Sequence, residues 1–243
     1  MPIPADTDFE SLLVAAGPDD VERLTPDEYA RWLAHAAGLV ESVRWEGARG
    51  VEVTEAMRHS VSAYAALVAA GFEPDTYPFR NVVAVVLHLG TIVTRDRSAG
   101  ADGLMSDGPN YLAGQSGHGR GPLLIDWRTF RRERRAPHRG LNVVFHEFAH
   151  KLDQLDGEAD GYPPIGDPGE RAAWEQTMGT NYRRLVRRGS DPLIRRYGAT
   201  NEAEFFAVVS ELFFTRPGEL RDLHPRVYAR LAAFYRQDPA GRR

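Results

Sequence analysis

The chain of 243 residues contains no cysteine. This absence excludes a disulfide framework and a thiolate metal site, so imidazole and carboxylate are the strong side-chain ligands that remain. Long apolar runs are also missing. The longest, at residues 82–93, is interrupted by His88 and Gly90 and falls short of the roughly 20 residues that a spanning helix needs. The sequence therefore predicts a protein without a membrane segment, in which any metal is bound by His, Asp or Glu.

Lysine is nearly absent as well, because Lys151 is the only one and arginine supplies the remaining positive charge. The net charge of −4 argues against a general nucleic-acid-binding protein. We interpret the arginine-rich run at residues 128–139 as a solvated helix face or loop, with contact to an acidic substrate or partner as the alternative. Residues 1–9 have neither the basic nor the apolar region of a secretory signal, which predicts a cytoplasmic protein.

The spacing of apolar residues predicts an α+β protein with strands in the middle and a mainly helical C-terminal half. Residues 1–24 are poorly patterned and are predicted to form an N-terminal arm, and residues 25–243 to form one domain with a small mixed sheet. Cap signatures and helical spacing predict helices at 25–43, 54–71, 167–189, 201–214 and 227–235. Short β-branched segments predict strands at 82–87, 91–94, 111–115 and 123–127.

A His-Glu-x-x-His pentapeptide follows an apolar run at residues 141–145. On a helix, residues four apart project from one face, so His146 and His150 can bind one ion while Glu147 points at the adjacent water. A catalytic zinc needs a third protein ligand and an open fourth position. Asp153 shares the face but lies about 10 Å along the helix from His146, too far to meet the same tetrahedral ion. The third ligand is therefore expected from elsewhere in the chain.

A metzincin arrangement is the rival explanation of this motif. It requires a glycine at position 153 to turn the chain and a ligand at position 156, where this sequence has Asp153 and Asp156. The metzincin explanation is weakened, because Asp153 occupies the position where the turn requires a glycine. Both aspartates are instead interpreted as residues that cap or complement the helix.

The stronger source of a third ligand is the helix predicted at residues 201–214. It is apolar on nearly every side, and an acid facing inward at Glu204 or Glu211 is costly unless it is paired or bound to a metal. These two glutamates share a face, which suits one metal ligand and one partner for a ligand imidazole, whereas Glu202 points elsewhere. The alternatives are that Glu204 is the capping-box partner of Asn201 and that Glu211 forms a salt bridge.

The remaining histidines have no partner at ligand spacing and are interpreted as structural or solvated. They are His35, His59, His88, His118, His138 and His224. His118 lies in a glycine-rich stretch before the last predicted strand, so it is the first of these to check in a structure.

Two parts of the sequence, the His-Glu-x-x-His motif and the predicted helix with Glu204 and Glu211, together resemble the Mlc titration factor A family. This family comprises bacterial zinc peptidases and regulators. The resemblance is carried by HEFAHKLD at residues 146–153, and by AE at 203–204, FAV at 206–208 and SE at 210–211. The pieces at residues 197–198 and 200–207 are also similar to the catalytic domain of anthrax lethal factor. The sequence departs from lethal factor at Val208, where the resemblance would predict a second acid. Glu211 is therefore the residue expected to act as hydrogen-bond partner of a ligand imidazole. The resemblance is looser elsewhere between about residues 51 and 235.

The resemblance implies a zincin-like fold of the gluzincin type, with the small sheet packed on the active-site helix. It implies one Zn²⁺ ion bound by His146, His150 and Glu204, with Glu147 as the general base and Tyr197 as a phenol close to the metal. Without the resemblance, Tyr197 is an ordinary loop aromatic. The substrate strand is expected by analogy along residues 122–126, as peptide addition to a sheet edge allows.

Two functions follow from this resemblance. The first is a zinc-dependent peptidase that acts on peptides or proteins, with the aminopeptidase-like action of the family. The second is a regulatory protein that binds and sequesters a transcriptional repressor, with peptidase activity secondary. Nucleic acid and membrane are not expected as partners.

Overall fold

The computed structural model describes residues 11, 13–15, 17–76, 78–90 and 119–242. The helices within these ranges are α1 (Pro26–Ser42), α2 (Glu55–Ala69), α3 (Trp127–Glu133), α4 (Val143–Asp153), α5 (Pro168–Arg188), α6 (Glu202–Thr215), α7 (Pro217–Leu223) and α8 (Pro225–Tyr235). The strands are β1 (Arg44–Gly47), β2 (Val82–His88) and β3 (Gly121–Asp126). None of the described helices combines the length and the apolarity that a membrane span needs.

The architecture is mainly helical with one small sheet in the order β1-β2-β3. β1 pairs parallel with β2, and β2 pairs parallel with β3. The predicted mixed sheet is therefore wrong for the described strands, all of which are parallel. Parallel neighbours need a crossover connection, and α2 supplies it between β1 and β2. The strands predicted at residues 91–94 and 111–115, and His118, lie outside the described residues.

The N-terminal flank is built from α1 and α2, which pack against each other. The predicted capping box is present, because the Thr25 side chain accepts from the Glu28 amide and the Glu28 carboxylate accepts from the Thr25 amide at 2.9 Å. Trp32 joins the two helices by donating its indole N–H to the Ala63 carbonyl at 2.8 Å. Within the predicted arm, Asp19–Arg23 forms a 3-10 helix, and the division into an arm and one domain stays a prediction.

Helix α4 lies in the interior, against α2, β3 and α6. Its first turn is capped twice: the Asn142 side chain accepts from the amides of Val144 and Phe145, and Glu133 accepts from the Val143 amide at 2.8 Å. Every residue from position 144 to position 153 is buried. The polar side chains on this helix consequently need partners or ligands inside the protein.

Gly161 joins the end of α4 to the start of α6. Its amide donates to Asp153 Oδ2 at 2.9 Å, and its carbonyl accepts from the Trp174 indole at 3.0 Å. The backbone has a φ of +82°, and a Cβ at this position would lie 2.4 Å from the carbonyl oxygen of Glu202. Only glycine fits this contact, so the position of α6 relative to α4 depends on it.

Replacing Gly161 with alanine is therefore expected to reduce the free energy of unfolding by about 3 kcal/mol, since left-handed backbone strain adds to a steric clash. The measurement is urea unfolding of the metal-free protein. Gly166→Ala is the matched control, because no heavy atom lies within 4 Å of its added Cβ. Equal losses in the two variants would contradict the close approach at Gly161.

Candidate metal centre

Three buried side chains from two helices converge at one point. His146 Nε2 lies 3.2 Å from His150 Nε2, and Glu204 Oε2 lies 3.1 Å from the first nitrogen and 3.6 Å from the second. Among the described residues, these three form the group of His, Asp and Glu side chains that could hold a metal ion. The structure thus brings together the residues that the sequence predicts as ligands.

Local sequence explains how each of these side chains is presented. The two histidines are four residues apart on α4, so their rings lie on one face, with centroids 4.8 Å apart. Glu204 is the third residue of α6, and its amide donates to the Asn201 side chain at 2.8 Å. The capping alternative for Glu204 therefore holds for its backbone, while its carboxylate turns to the imidazoles.

The spacing of the three atoms fits a bound divalent ion. Ligand atoms about 2.0–2.2 Å from a tetrahedral ion are separated from each other by roughly 3.3–3.5 Å. Glu204 Oε2 is buried and meets no hydrogen-bond partner within the described ranges. An orphaned buried oxygen is costly, and a cation between it and the two ring nitrogens would remove that cost.

The charges around this point also favour a cation. Burial lowers the pKa of His146, but the carboxylates of Glu204 and Glu211 outweigh burial and raise it to about 9. Burial raises the pKa of Glu204, and the two imidazoles outweigh that effect, so the net pKa is lowered. Burial lowers the pKa of His150 below its ordinary value, the Glu204 carboxylate opposes this effect, and the neighbouring His146 adds to it. The cluster therefore attracts positive charge, whether as a proton or as a metal ion.

Glu147 is buried beside the ligands on α4. Its Oε2 has no hydrogen-bond partner in the described part of the chain. Burial, and then the charges of Glu204 and Glu211, raise the pKa of Glu147 well above its ordinary value, while Lys151 opposes this. A carboxylate is suited to accept a proton when its pKa is raised and one of its oxygens is not already used by a hydrogen bond.

Tyr197 lies at the edge of the same cluster. Its ring centroid is 5.9 Å from that of His146. Burial and the neighbouring Glu204 carboxylate raise the pKa of its hydroxyl far above the ordinary value, so the phenol keeps its proton. Tyr197 can therefore act as a hydrogen-bond donor in the site.

Glu211 performs both of the roles that the sequence left open. It accepts from His146 Nδ1 at 2.7 Å, and it forms a salt bridge to Arg195 at 2.6 Å. It also accepts from the backbone amide of Asn142 at 2.9 Å. Sequence reasoning missed Arg195, which lies in a loop where nothing marks it as a partner of this helix.

The other acidic candidates lie outside the metal-ligand group. Asp153 is fully buried, and its Oδ2 accepts from the Gly161 amide. Burial raises the pKa of Asp153 to about 7. Asp156 is exposed, and its Oδ1 accepts from the Glu158 amide at 3.4 Å. These positions agree with the interpretation that both aspartates complement the end of α4, and they give the metzincin rival no ligand.

Other histidines of the described ranges have structural positions, and several arginines of the run at residues 128–139 are exposed. His35 bonds to the Phe72 carbonyl at 2.9 Å, and His224 bonds to Asp191 at 3.0 Å. The arginine-rich run begins on α3, and several of its arginines are exposed, as expected for a solvated face: Arg131, Arg132, Arg135 and Arg139.

Comparison with known proteins identifies the family. The family model described as glucose-regulated metallo-peptidase M90 matches residues 7–236. The chain belongs to this metallopeptidase family. The match covers most of the chain, including much of the predicted N-terminal arm.

Individual relatives of this M90 family member support the assignment. It is 32% identical to Mlc titration factor A of Edwardsiella ictaluri over 238 residues, which cover 95% of this chain and 85% of the relative. It is 32% identical to Mlc titration factor A of Yersinia enterocolitica over 225 residues, covering 90% and 82%. An uncharacterized protein of Synechocystis is 28% identical over 220 residues, covering 89% and 79%. The predicted resemblance to the Mlc titration factor A family is thus confirmed.

Proposed function

We propose that this M90 family member is a zinc-dependent peptidase of the gluzincin type. One ion would be held by His146 Nε2, His150 Nε2 and Glu204 Oε2. The observation that carries the proposal is the convergence of these atoms within 3.1–3.6 Å of each other. Two imidazoles and one carboxylate, with no thiolate in the chain, form a ligand set typical of catalytic zinc with one open position.

When bound, zinc would lower the pKa of a coordinated water to about 7 and polarise the scissile carbonyl. Glu147 is the base that accepts the proton of the attacking water and later delivers it to the leaving amine. Its burial supports this role, as does its Oε2 atom, which meets no hydrogen-bond partner among the residues that the structure describes.

Tyr197 is proposed to donate a hydrogen bond to the oxyanion that develops on the substrate carbonyl. The raised pKa of its hydroxyl, caused by burial and by Glu204, keeps the phenol a donor at neutral pH. Arg195 lies 5.4 Å from the centre of its ring and helps to fix its position.

The substrate is proposed to bind as an extended strand along β3. This strand is at one end of the sheet order, and within the described residues only β2 pairs with it. Pro122 lacks an amide hydrogen, which is typical of an edge strand. The Lys151 ammonium lies 3.3 Å and 3.4 Å from the carbonyls of Gly119 and Gly121, and so ties the start of this strand to α4.

A second candidate function is the binding and sequestration of a transcriptional repressor. The observation in its favour is the name of the relatives, Mlc titration factor A, at 32% identity over most of the chain. In this case the peptidase activity would be secondary, and both functions can reside in one chain.

Metal removal tests the peptidase proposal. The purified protein is expected to contain one zinc ion per chain, to lose peptide hydrolysis after chelation, and to regain it on addition of zinc. Peptides with free and with acetylated N-termini separate aminopeptidase from endopeptidase action, because only an endopeptidase cleaves the acetylated set. A chain that takes up no zinc, or that hydrolyses peptides equally well without metal, would overturn the proposal.

A further inference from the structure

The carboxylate of Glu211 is surrounded by hydrogen-bond donors from three parts of the chain. Oε1 accepts from His146 Nδ1 at 2.7 Å and from Arg195 Nη2 at 2.6 Å. Oε2 accepts from the Asn142 amide at 2.9 Å and from Arg195 Nη1 at 3.1 Å. Each oxygen thus has two donors, although the residue is only 2% exposed. Such a carboxylate is fixed in both position and plane.

Arg195 provides half of these contacts through a two-pronged salt bridge. A guanidinium binds a carboxylate by two parallel N–H bonds, which fix its orientation, whereas the point charge of an ammonium does not. Nη2 also lies 3.5 Å from His146 Nδ1. The planar guanidinium therefore contacts both oxygens of the carboxylate and fixes its plane.

The loop that carries Arg195 is itself anchored. Asp191 Oδ1 accepts from the amides of Leu193 and Ile194, both at 3.0 Å, and from His224 Nε2 at 3.0 Å. These bonds fix the segment of the loop that immediately precedes Arg195. The guanidinium then packs on the ring of Tyr197 at 5.4 Å. The Arg195 side chain thus contacts both Glu211, which is the hydrogen-bond partner of His146, and Tyr197, which is the proposed oxyanion donor.

The charge balance gives a reason for a cation at this place. Glu147, Glu204 and Glu211 are buried close enough for their charges to influence one another. The Arg195 guanidinium lies 2.6 Å from Glu211 Oε1 and offsets part of the negative charge of this buried carboxylate. An acceptor at Nδ1 holds the His146 proton on that atom and leaves the lone pair on Nε2 directed at Glu204 and His150.

We propose that Arg195 is a positioning residue that acts through Glu211 to orient His146 for metal binding and that also fixes the Tyr197 ring. This inference rests on the proposed function. It adds a residue from a surface loop, with its side chain 33% exposed, to the groups that determine metal affinity.

Zinc affinity, measured by competition with a chelator, tests the inference directly. Arg195→Met is expected to weaken zinc binding by about 10–100-fold, the usual loss when a residue behind a ligand is removed. Arg195→Lys should recover part of the loss, because it restores the charge without the two-pronged geometry. Arg196→Met is the matched control on the neighbouring exposed arginine, and its affinity should stay within about twofold of the parent.

A double-mutant cycle shows whether Arg195 acts through Glu211. In a Glu211→Gln background, Arg195→Met is expected to change zinc affinity by less than about twofold. The visible spectrum of the cobalt-substituted protein should change in Arg195→Met and stay at the parent form in Arg196→Met, since it reports ligand geometry and not folding alone.

The outcomes separate this inference from the proposed function. Parent-like zinc affinity and an unchanged cobalt spectrum in Arg195→Met, or equal losses in the parent and Glu211→Gln backgrounds, would overturn the role of Arg195 alone. A parent protein that binds no zinc would overturn the peptidase proposal itself. If Arg195→Met does not fold, Arg195→Lys carries the same comparison.

Discussion

Replacing Glu147 with glutamine is expected to lower kcat for peptide hydrolysis by about 10²–10⁴-fold, the contribution typical of a general acid or base. Glutamine has nearly the same shape but accepts no proton at neutral pH. The zinc content should stay at the parent level, because Glu147 lies outside the group of three converging ligand atoms. Steady-state kinetics and metal analysis on the same preparation provide the measurement.

Glu175→Gln is the matched control for this substitution, since it makes the same chemical change at an exposed helical position. It should leave both kcat and zinc content unchanged. Undiminished hydrolysis by Glu147→Gln would exclude the proposed base, and loss of zinc with activity would indicate structural damage instead. Repressor binding that persists in Glu147→Gln would support the second candidate function independently of catalysis.

Removing the carboxylate of Glu204 is expected to have the second large effect. Glu204→Ala should weaken zinc binding by more than about 100-fold, beyond the range found for residues that contact only a ligand. His146→Ala should do the same. The physical reason is that the ion loses one of three protein donors and the compensating negative charge. Chelator competition and metal analysis measure the loss.

Glu202→Ala is a control on the same helix, two residues earlier, whose carboxylate is not part of the ligand group. Its zinc affinity should remain close to that of the parent. If Glu204→Ala retained parent affinity, or if Glu202→Ala lost zinc to the same extent, the third ligand would have to be reassigned.

The part of the site that lies within one helix could be predicted from the sequence. The spacing of His146 and His150 determines their common face, and Asn201 marks the start of α6, so two of the elements that form the site follow from local rules. The choice between Glu204 and Glu211 was left open by those rules, and only the family resemblance favoured Glu204. The structure turns Glu204 to the imidazole Nε2 atoms and Glu211 to Nδ1.

Contacts between distant segments could not be predicted in the same way. Arg195 and Glu211 are 16 residues apart and meet only because a loop folds back on α6. Strand β1 was missed because its four residues, RWEG, are mainly exposed and show no apolar alternation. The parallel arrangement of the sheet was missed for a related reason, since strand direction depends on the crossover through α2 and leaves no local sequence signal.

The three converging ligand atoms come from two separate helices, and metal binding is therefore linked to folding. In the unfolded chain, His146 and His150 remain near each other because they are neighbours in sequence, but Glu204 is far from them. An ion would therefore bind the native arrangement far more tightly than the unfolded chain. Under thermodynamic linkage, each tenfold rise in free metal above the dissociation constant would add about 1.4 kcal/mol to the stability of the native state. Apparent melting temperature would then depend on the zinc supply, and zinc depletion would leave the packing of α4 on α6 less stable.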